Sequence, residues 1–206
     1  MARKPVIAAQ SSAARRAGGG SARDRVFRTA SALFHRKGIR AVGVEAIAAE
    51  ANTTKMSLYR NFPSKDELVA EWLRDHAVKF WQTWDAMSRK YADEPRKQLK
   101  AAFALLAKHA ADPKARGCPM ANAAVEITER DHPARKVIEG HKARLRARLA
   151  QLCAQMGVRD PALLADQLFL LMEGAQVSAQ TPGARVPALN VARAAGDLID
   201  ARIPTP

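Results

Sequence analysis

Apolar residues recur at helical spacing along most of the chain, and no stretch alternates apolar and polar residues in the manner of a strand. The pattern therefore predicts an all-α protein of about nine helices. They span about residues 21–38, 44–51, 54–60, 64–92, 96–111, 120–130, 134–156, 161–180 and 188–202. Gly or Pro marks most of the boundaries, because neither residue continues a helix easily.

The predicted helices fall into two units behind a basic tail. Residues 1–20 are small and basic and end in three glycines, a composition that predicts a disordered arm. Residues 21–66 hold three short helices, and residues 67–206 hold the rest. The long helix that begins at Ser64 links the two units.

Two short amphipathic segments with a polar turn between them fill residues 44–65. The apolar face of the first segment holds Val44, Ile47, Ala48 and Ala51. Asn52 tolerates the left-handed backbone that a tight turn requires, and Thr53 or Thr54 is a suitable cap for the next helix. This order and length are typical of a DNA-reading helix-turn-helix, although helix pairs that never touch DNA give a similar pattern.

A longer segment of the sequence favours the DNA-binding interpretation. The informative positions are Phe34, Gly38, Ile47, Ala48, Ala51, Leu58, Tyr59, Phe62, Lys65 and Leu68. In their spacing, residues 25–73 resemble the N-terminal DNA-binding domain of the TetR family of bacterial transcriptional regulators. The resemblance implies a repressor that binds a palindromic operator as a homodimer and is released by a small inducer, which the large apolar residues of the middle helices predict to be mostly apolar. It also implies that the C-terminal unit binds the inducer and forms the dimer.

The same resemblance suggests which residues contact double-stranded DNA. They are Gly43, Thr53, Thr54, Lys55, Met56, Ser57, Tyr59, Asn61 and Lys65. Lys55, Met56 and Ser57 are expected to reach base edges, and Tyr59, Asn61 and Lys65 to hold phosphates. The family usually has Gly at the positions of Asn52 and Met56 and His at that of Asn61. Gly43 also lacks the hydroxyl that the family often places there, so it has no side chain to offer to a phosphate.

The distribution of charge along the chain agrees with an N-terminal DNA-binding unit. The net charge is +14; residues 1–65 hold 13 Lys and Arg against 3 Asp and Glu, and residues 66–206 hold 21 against 17. A localised excess of +10 is typical of a module that binds a polyanion, although a basic solvated surface gives the same count.

Other functional classes find little support in the sequence. No nucleophile, base and orienting residue stand at catalytic spacing, and the His and Cys residues form no metal-ligand motif. No apolar run is long enough to cross a membrane. We therefore expect neither enzymatic activity nor a cofactor, and we expect a cytoplasmic protein without a membrane partner.

Large residues of the middle helices are the candidates for an inducer pocket. They are Trp72, Phe80, Trp81, Trp84, Phe103, Cys118, Met120, Asn122, Glu126, His141, Phe169, Met172, Glu173 and Gln176. The last two predicted helices are the candidates for the dimer interface, through Leu164, Leu168, Leu171, Ala175, Leu189, Ala192, Leu198 and Ile199. Ordinary core packing within one chain would give the same apolar patterns.

Residues 117–126 resemble a Gly-Cys-x-x-x-Asn segment of some family members, certain of which sense electrophiles or oxidants through the cysteine. Cys118 stands at a predicted helix N-terminus beside Arg116, where the thiol pKa would be lowered. A thiol sensor is therefore one alternative to the inducer-released repressor, and an unreactive buried cysteine is the other interpretation of Cys118. A constitutive architectural DNA binder without an inducer is the second alternative.

Overall fold

The computed structural model describes residues 20–181 and 185–203, which form ten α-helices and no strand. The helices are α1 (Ala22–Lys37), α2 (Val44–Glu50), α3 (Lys55–Asn61), α4 (Lys65–Lys90), α5 (Pro95–Ala111), α6 (Pro119–Glu126), α7 (Pro133–Gln155), α8 (Pro161–Ser178), α9 (Arg185–Leu189) and α10 (Val191–Asp200). The all-α prediction is confirmed. Within the described residues there is one helix more than expected, because a turn at Asn190 divides the last segment. The expected arm lies outside the described residues, apart from Gly20.

Local sequence signals fix the helix ends around the helix-turn-helix. Ser21 and Asp24 form a reciprocal capping box at the start of α1. Asn52 adopts the left-handed backbone, with φ of 49°, as its position in the turn predicted. Thr54 caps α3 by accepting a hydrogen bond from the amide of Ser57 at 3.1 Å.

Helix α4 joins two hydrophobic clusters. Its first half places Leu68 and Leu73 in a cluster with α1, α2 and α3, and its second half places Trp84 in a cluster with α5, α7, α8 and α10. Met120 and Ala123 of α6 belong to the first cluster. A C-terminal helix therefore packs into the core of the DNA-binding helices, so the packing does not divide cleanly at residue 66.

Helix α8 is apolar on more than one face, and its core-facing side differs from the expected one. The predicted interface residues Leu164, Leu168, Ala175 and Ile199 are buried in the core of their own chain. Leu171, Ala192 and Leu198 are half-buried, and Leu189 is exposed. A side chain that its own chain already covers has no surface left for a second copy. The first four positions are therefore corrected from interface residues to core residues.

The exposed side of α8 carries a different apolar row. Leu163, Leu170 and Val177 stand seven residues apart and all face outward. A spacing of seven residues returns to the same side of a helix after two turns, so the three form one continuous stripe. None of the described helices combines the length and hydropathy needed to cross a membrane.

Candidate DNA-binding surface and ligand cavity

Helix α3 is held in the core by one buried side chain and carries a short row of exposed side chains on its outer side. Leu58 is fully buried, whereas Met56 is 66% exposed and Tyr59 is 42% exposed. Lys55 is also exposed and stands one residue before Met56. The helix thus holds these side chains on the outer surface, available to a groove of DNA.

Lys55 makes an ion pair across the helix-turn-helix. Its Nζ lies 2.6 Å from Oε1 of Glu45, and both side chains are largely exposed. The hydrogen bond between them raises the pKa of Lys55 and lowers the pKa of Glu45. An exposed pair of this kind contributes little to stability, because solvent screens the two charges. Lys55 is therefore free to exchange Glu45 for another acceptor.

Several predicted DNA contacts already have partners inside the protein. The side-chain amide of Asn61 donates to the carbonyl of Ser57 at 2.8 Å. Lys65 Nζ donates to the carbonyl of Ile39 at 2.7 Å, and burial lowers the pKa of Lys65. Gly43 is the N-cap of α2 but offers no side chain, and the backbone amide of Thr53 bonds within the turn. Their contacts with DNA stay predictions.

A cavity of about 420 Å³ lies between α4, α5, α7 and α8. Eight of the fourteen predicted pocket residues line it: Trp72, Phe80, Trp84, Cys118, His141, Met172, Glu173 and Gln176. The walls are mainly apolar with a few polar groups, which is the usual composition of a small-molecule site.

The other six predicted pocket residues do not line this cavity. Phe103 and Met120 are fully buried in the packed core. Trp81 follows Phe80 and therefore points about 100° away around α4, where the Arg144 guanidinium lies 3.9 Å from its ring centre. Asn122 donates to the carbonyl of Arg116, the Glu126 carboxylate accepts from the amide of Arg40, and Phe169 lies near Lys142.

Three histidines that the pocket prediction omitted also line the cavity. They are His35 of α1, His76 of α4 and His109 of α5. His76 lies four residues from both Trp72 and Phe80, so the helical period alone places it on the same face. His35 and His109 come from helices that meet only in the tertiary structure, and no sequence signal joins them.

Unpaired polar atoms concentrate in the cavity wall. Among the described residues, four buried side-chain polar atoms lack a hydrogen-bond partner, and three of them, Trp84 Nε1, His141 Nδ1 and Glu173 Oε1, belong to side chains that line the cavity. A buried polar group without a partner costs about 1–3 kcal/mol. Structural cores rarely keep several such groups together, whereas ligand sites do so because the ligand supplies the partners.

Burial dominates the ionisation of the cavity side chains. Desolvation lowers the pKa of His76 and of His141 to about 4, so both are neutral at pH 7. Desolvation also raises the pKa of the Cys118 thiol, against a smaller opposite effect of Lys142. The expected low pKa at the start of α6 is therefore wrong, because the loss of solvent outweighs the helix terminus. A protonated, buried thiol is a poor nucleophile.

These histidines predict a fall in stability at acid pH. An unfolded imidazole binds its proton near its ordinary pKa of 6.5, but native His76 and His141 do so only near 4. The unfolded state therefore binds more protons between these values, and the free energy of unfolding falls as pH drops from 6.5 to 4. Denaturant titrations at several pH values should show a shallower fall in the double variant His76→Gln/His141→Gln. An unchanged slope would contradict the assignment.

The segment that borders the cavity also holds the end of α1. Arg116 donates to the carbonyl of Arg36 at 2.7 Å, and Glu126 accepts from the backbone amide of Arg40 at 2.8 Å. Gly117, Cys118 and Pro119 of the same segment line the cavity. Residues 116–126 therefore contact both the cavity and the C-terminal end of α1 with the loop that follows it.

Comparisons with known proteins cover both units. Residues 26–72 match the family described as bacterial regulatory proteins, tetR family, and residues 95–195 match the tetracyclin repressor-like C-terminal domain. A solved structure described as a tetR-transcriptional regulator, from Streptomyces avermitilis, is 32% identical, with a TM-score of 0.76. That match covers 89% of this chain and 98% of the other.

A TetR-family transcriptional regulator from Streptomyces coelicolor is 24% identical with a TM-score of 0.83, over 89% of this chain and 96% of that one. A TetR transcriptional regulator from Chloroflexus aurantiacus is 23% identical with a TM-score of 0.75, over 88% and 96%. These two likenesses concern the fold alone. No protein of curated function matches the sequence significantly.

Proposed function

The chain belongs to the TetR family of bacterial regulatory proteins, and from that premise we propose that it is a ligand-responsive repressor. In this proposal a homodimer binds a palindromic operator and leaves it when a small, mostly apolar inducer fills the cavity. The observation that carries the proposal is the cavity itself, whose wall continues into the segment that holds the end of α1. A constitutive DNA binder has no use for such a cavity.

The exposed row of α3 is the proposed reader of the operator. Lys55 would donate to guanine O6 and N7 in the major groove, and Met56 would contact a thymine methyl. Ser57 would make the permissive third contact. Gly43, Thr53, Thr54, Tyr59, Asn61 and Lys65 would face the phosphate backbone and set the register.

The stripe of Leu163, Leu170 and Val177 on α8 is the proposed dimer surface. A continuous exposed apolar row is unfavourable in water, and a second copy of α8 would cover it symmetrically. Two recognition helices would then lie one DNA turn apart, about 34–36 Å, on a palindrome. The half-buried Leu171, Ala192 and Leu198 and the exposed Leu189 would flank this surface.

Release of the operator would be a population shift. An inducer that cuts operator affinity a hundredfold must prefer the released state by about 2.7 kcal/mol, which is within the usual range of allosteric coupling. Two paths lead from the cavity to the helix-turn-helix: α4, which spans both hydrophobic clusters, and the contacts of Arg116 and Glu126 with the end of α1.

The two partners of the surface ion pair provide the test. We expect Lys55→Ala to weaken binding to a selected palindromic operator about tenfold and to relax the preference at one base pair of each half-site. Glu45→Ala should instead strengthen binding, because it removes a negative charge from the DNA-facing side and releases Lys55. The measurement is fluorescence anisotropy with operator and with random DNA, at two salt concentrations.

The opposite signs separate recognition from structure. If the pair only stabilised the fold, both substitutions would lower affinity in parallel with a lower melting temperature. Equal affinity of the unsubstituted protein for operator and random DNA would contradict the proposed function itself.

A further inference from the structure

Four histidines from four different helices line this cavity. His35 comes from α1, His76 from α4, His109 from α5 and His141 from α7, and all four line its wall. They lie close enough to one another to influence each other's protonation. The charges of His35 and His109 lower the pKa of His76, and the charge of His76 lowers the pKa of His141.

The four are arranged by depth. His35 and His109 are exposed, as are Lys79 and Leu105 beside them, so this side marks the opening. His76 is half-buried. His141 is buried, with its ring 4.9 Å from that of Phe80. The cavity therefore has a histidine-rich opening and an apolar interior.

The charges around the opening are mostly positive. The charged groups that act on His35, His76 and His141 are Arg116, Lys79, Lys142, Arg144 and Asp75. Asp75 is already paired with Lys79 at 2.7 Å, and Glu173, the one carboxylate of the lining, is paired with Lys142. The negative charge of each carboxylate is thus already balanced by a lysine, although Oε1 of Glu173 has no hydrogen-bond partner of its own.

We propose that the ligand of this cavity is an organic acid with an apolar body, whose carboxylate is bound at the opening by His35, His76 and His109. The proposal rests on the proposed function, since it names the chemistry of the same inducer. The apolar body would lie between Trp84, Leu145 and Met172, and a polar group at its far end would meet the unpaired atoms of Trp84 and His141.

The lowered pKa of His35 and of His76 indicates how an acid would bind. Desolvation lowers the pKa of His35 and of His76, so burial disfavours the charged imidazolium form of both side chains. A carboxylate within hydrogen-bond distance favours the imidazolium form, and the histidine takes a proton from solvent as the acid binds. A metal ion is a weaker candidate, because no three metal-ligating side chains of the described residues are grouped to hold one.

The position of His35 gives the carboxylate a second consequence. His35 belongs to the last turn of α1, next to Arg36, whose carbonyl accepts from Arg116. A carboxylate that bridges His35 to His109 would tie the DNA-binding helices directly to α5. The contact that selects an acid would therefore also couple ligand binding to the position of the helix-turn-helix.

The test is direct binding to the full chain without DNA. The probes are octanoate, octan-1-ol and octylamine, and 2-naphthylacetate with its matched alcohol and amine, titrated calorimetrically at pH 7 in phosphate and in Tris. We expect at least one acid to bind at least about tenfold more tightly than the alcohol and the amine of the same body. The heat of acid binding should differ between the buffers, because a proton is taken up; that of the alcohol should not.

Substitutions identify the site. His76→Gln and His109→Gln should each reduce the preference for the acid and the proton uptake but leave the affinity for the alcohol unchanged. Lys108→Gln, which removes a charge from the exposed neighbour of His109 on α5, should change neither. Equal affinity for acid, alcohol and amine, no binding of either acid, or acid binding indifferent to both histidines would overturn the proposal.

The outcome is separate from that of the proposed function. Acid binding with these signatures and no effect on operator affinity would refute ligand-controlled repression but keep the acid site. Release of the operator by a neutral or cationic compound, with no acid binding, would refute the acid site but keep ligand-controlled repression.

Discussion

A glutamate at position 170 should yield a folded monomer, whereas a glutamate at position 168 should unfold the protein. Leu170 is 68% exposed in the middle of the outward stripe of α8, and Leu168, two residues earlier, is fully buried. A charge in the stripe would be buried without a partner only if a second copy covered it. A charge at Leu168 would be buried in the monomer as well, so it should lower the free energy of unfolding by about 3–5 kcal/mol or more.

Sedimentation and circular dichroism separate these outcomes. Leu170→Glu should keep its helical signal and its melting curve at low concentration but sediment as a monomer. Its operator affinity should fall at least about a hundredfold, because the second half-site no longer adds to the first. Val125→Glu is the control, since Val125 is 81% exposed on α6, a different helix from the one that carries the stripe. A dimeric Leu170→Glu protein with full operator affinity would move the interface elsewhere.

Replacing Gly117 with alanine should be strongly destabilising, although the same change at Gly140 should stabilise. Gly117 has φ of +66°, and a Cβ there would lie 2.7 Å from the backbone oxygen of Gln176 and 2.3 Å from the side-chain amide of Gln180. The side chain of Gln180 can move, but the backbone of α8 cannot do so cheaply. Left-handed strain and overpacking together should cost about 3 kcal/mol.

Gly140 supplies the matched control. It lies exposed in α7, and a Cβ there meets nothing within 4 Å. Alanine at this position should add about 1 kcal/mol of stability, since glycine is a poor helix residue. Thermal unfolding should show a fall of roughly 6–12 °C for Gly117→Ala and a rise of roughly 2–4 °C for Gly140→Ala. Equal melting temperatures would mean that residues 116–118 do not pack tightly against α8.

The parts predicted well from sequence depend on neighbours in the chain. Ser21 and Asp24 fix the start of α1, and Asn52 fixes the turn before α3, through contacts that span only a few residues. Helical spacing likewise placed Trp72, Phe80 and Trp84 on one side of α4, which the structure turns toward the cavity. These features follow from backbone geometry and need no knowledge of distant contacts.

The parts predicted poorly depend on which helix faces which. The apolar residues of α8 occupy more than one face, so the sequence pattern does not indicate whether Leu168 or Leu170 is covered by α5, α7 and α10. Phe80 and Trp81 are both large aromatic residues, and the helical period places them about 100° apart. The sequence does not indicate which of the two faces the cavity, and in the structure it is Phe80.

The sequence by itself determined the family, the all-α fold, the helix-turn-helix and the concentration of positive charge before α4, because these are properties of short segments and of composition. Only the tertiary structure decided that His35 and His109 share a cavity with His76. It also decided that Lys65 bonds to Ile39, and that Cys118 is buried with a raised pKa. Exposure, ionisation and convergence are set by whatever packs against a side chain, and that partner lies far away in the chain.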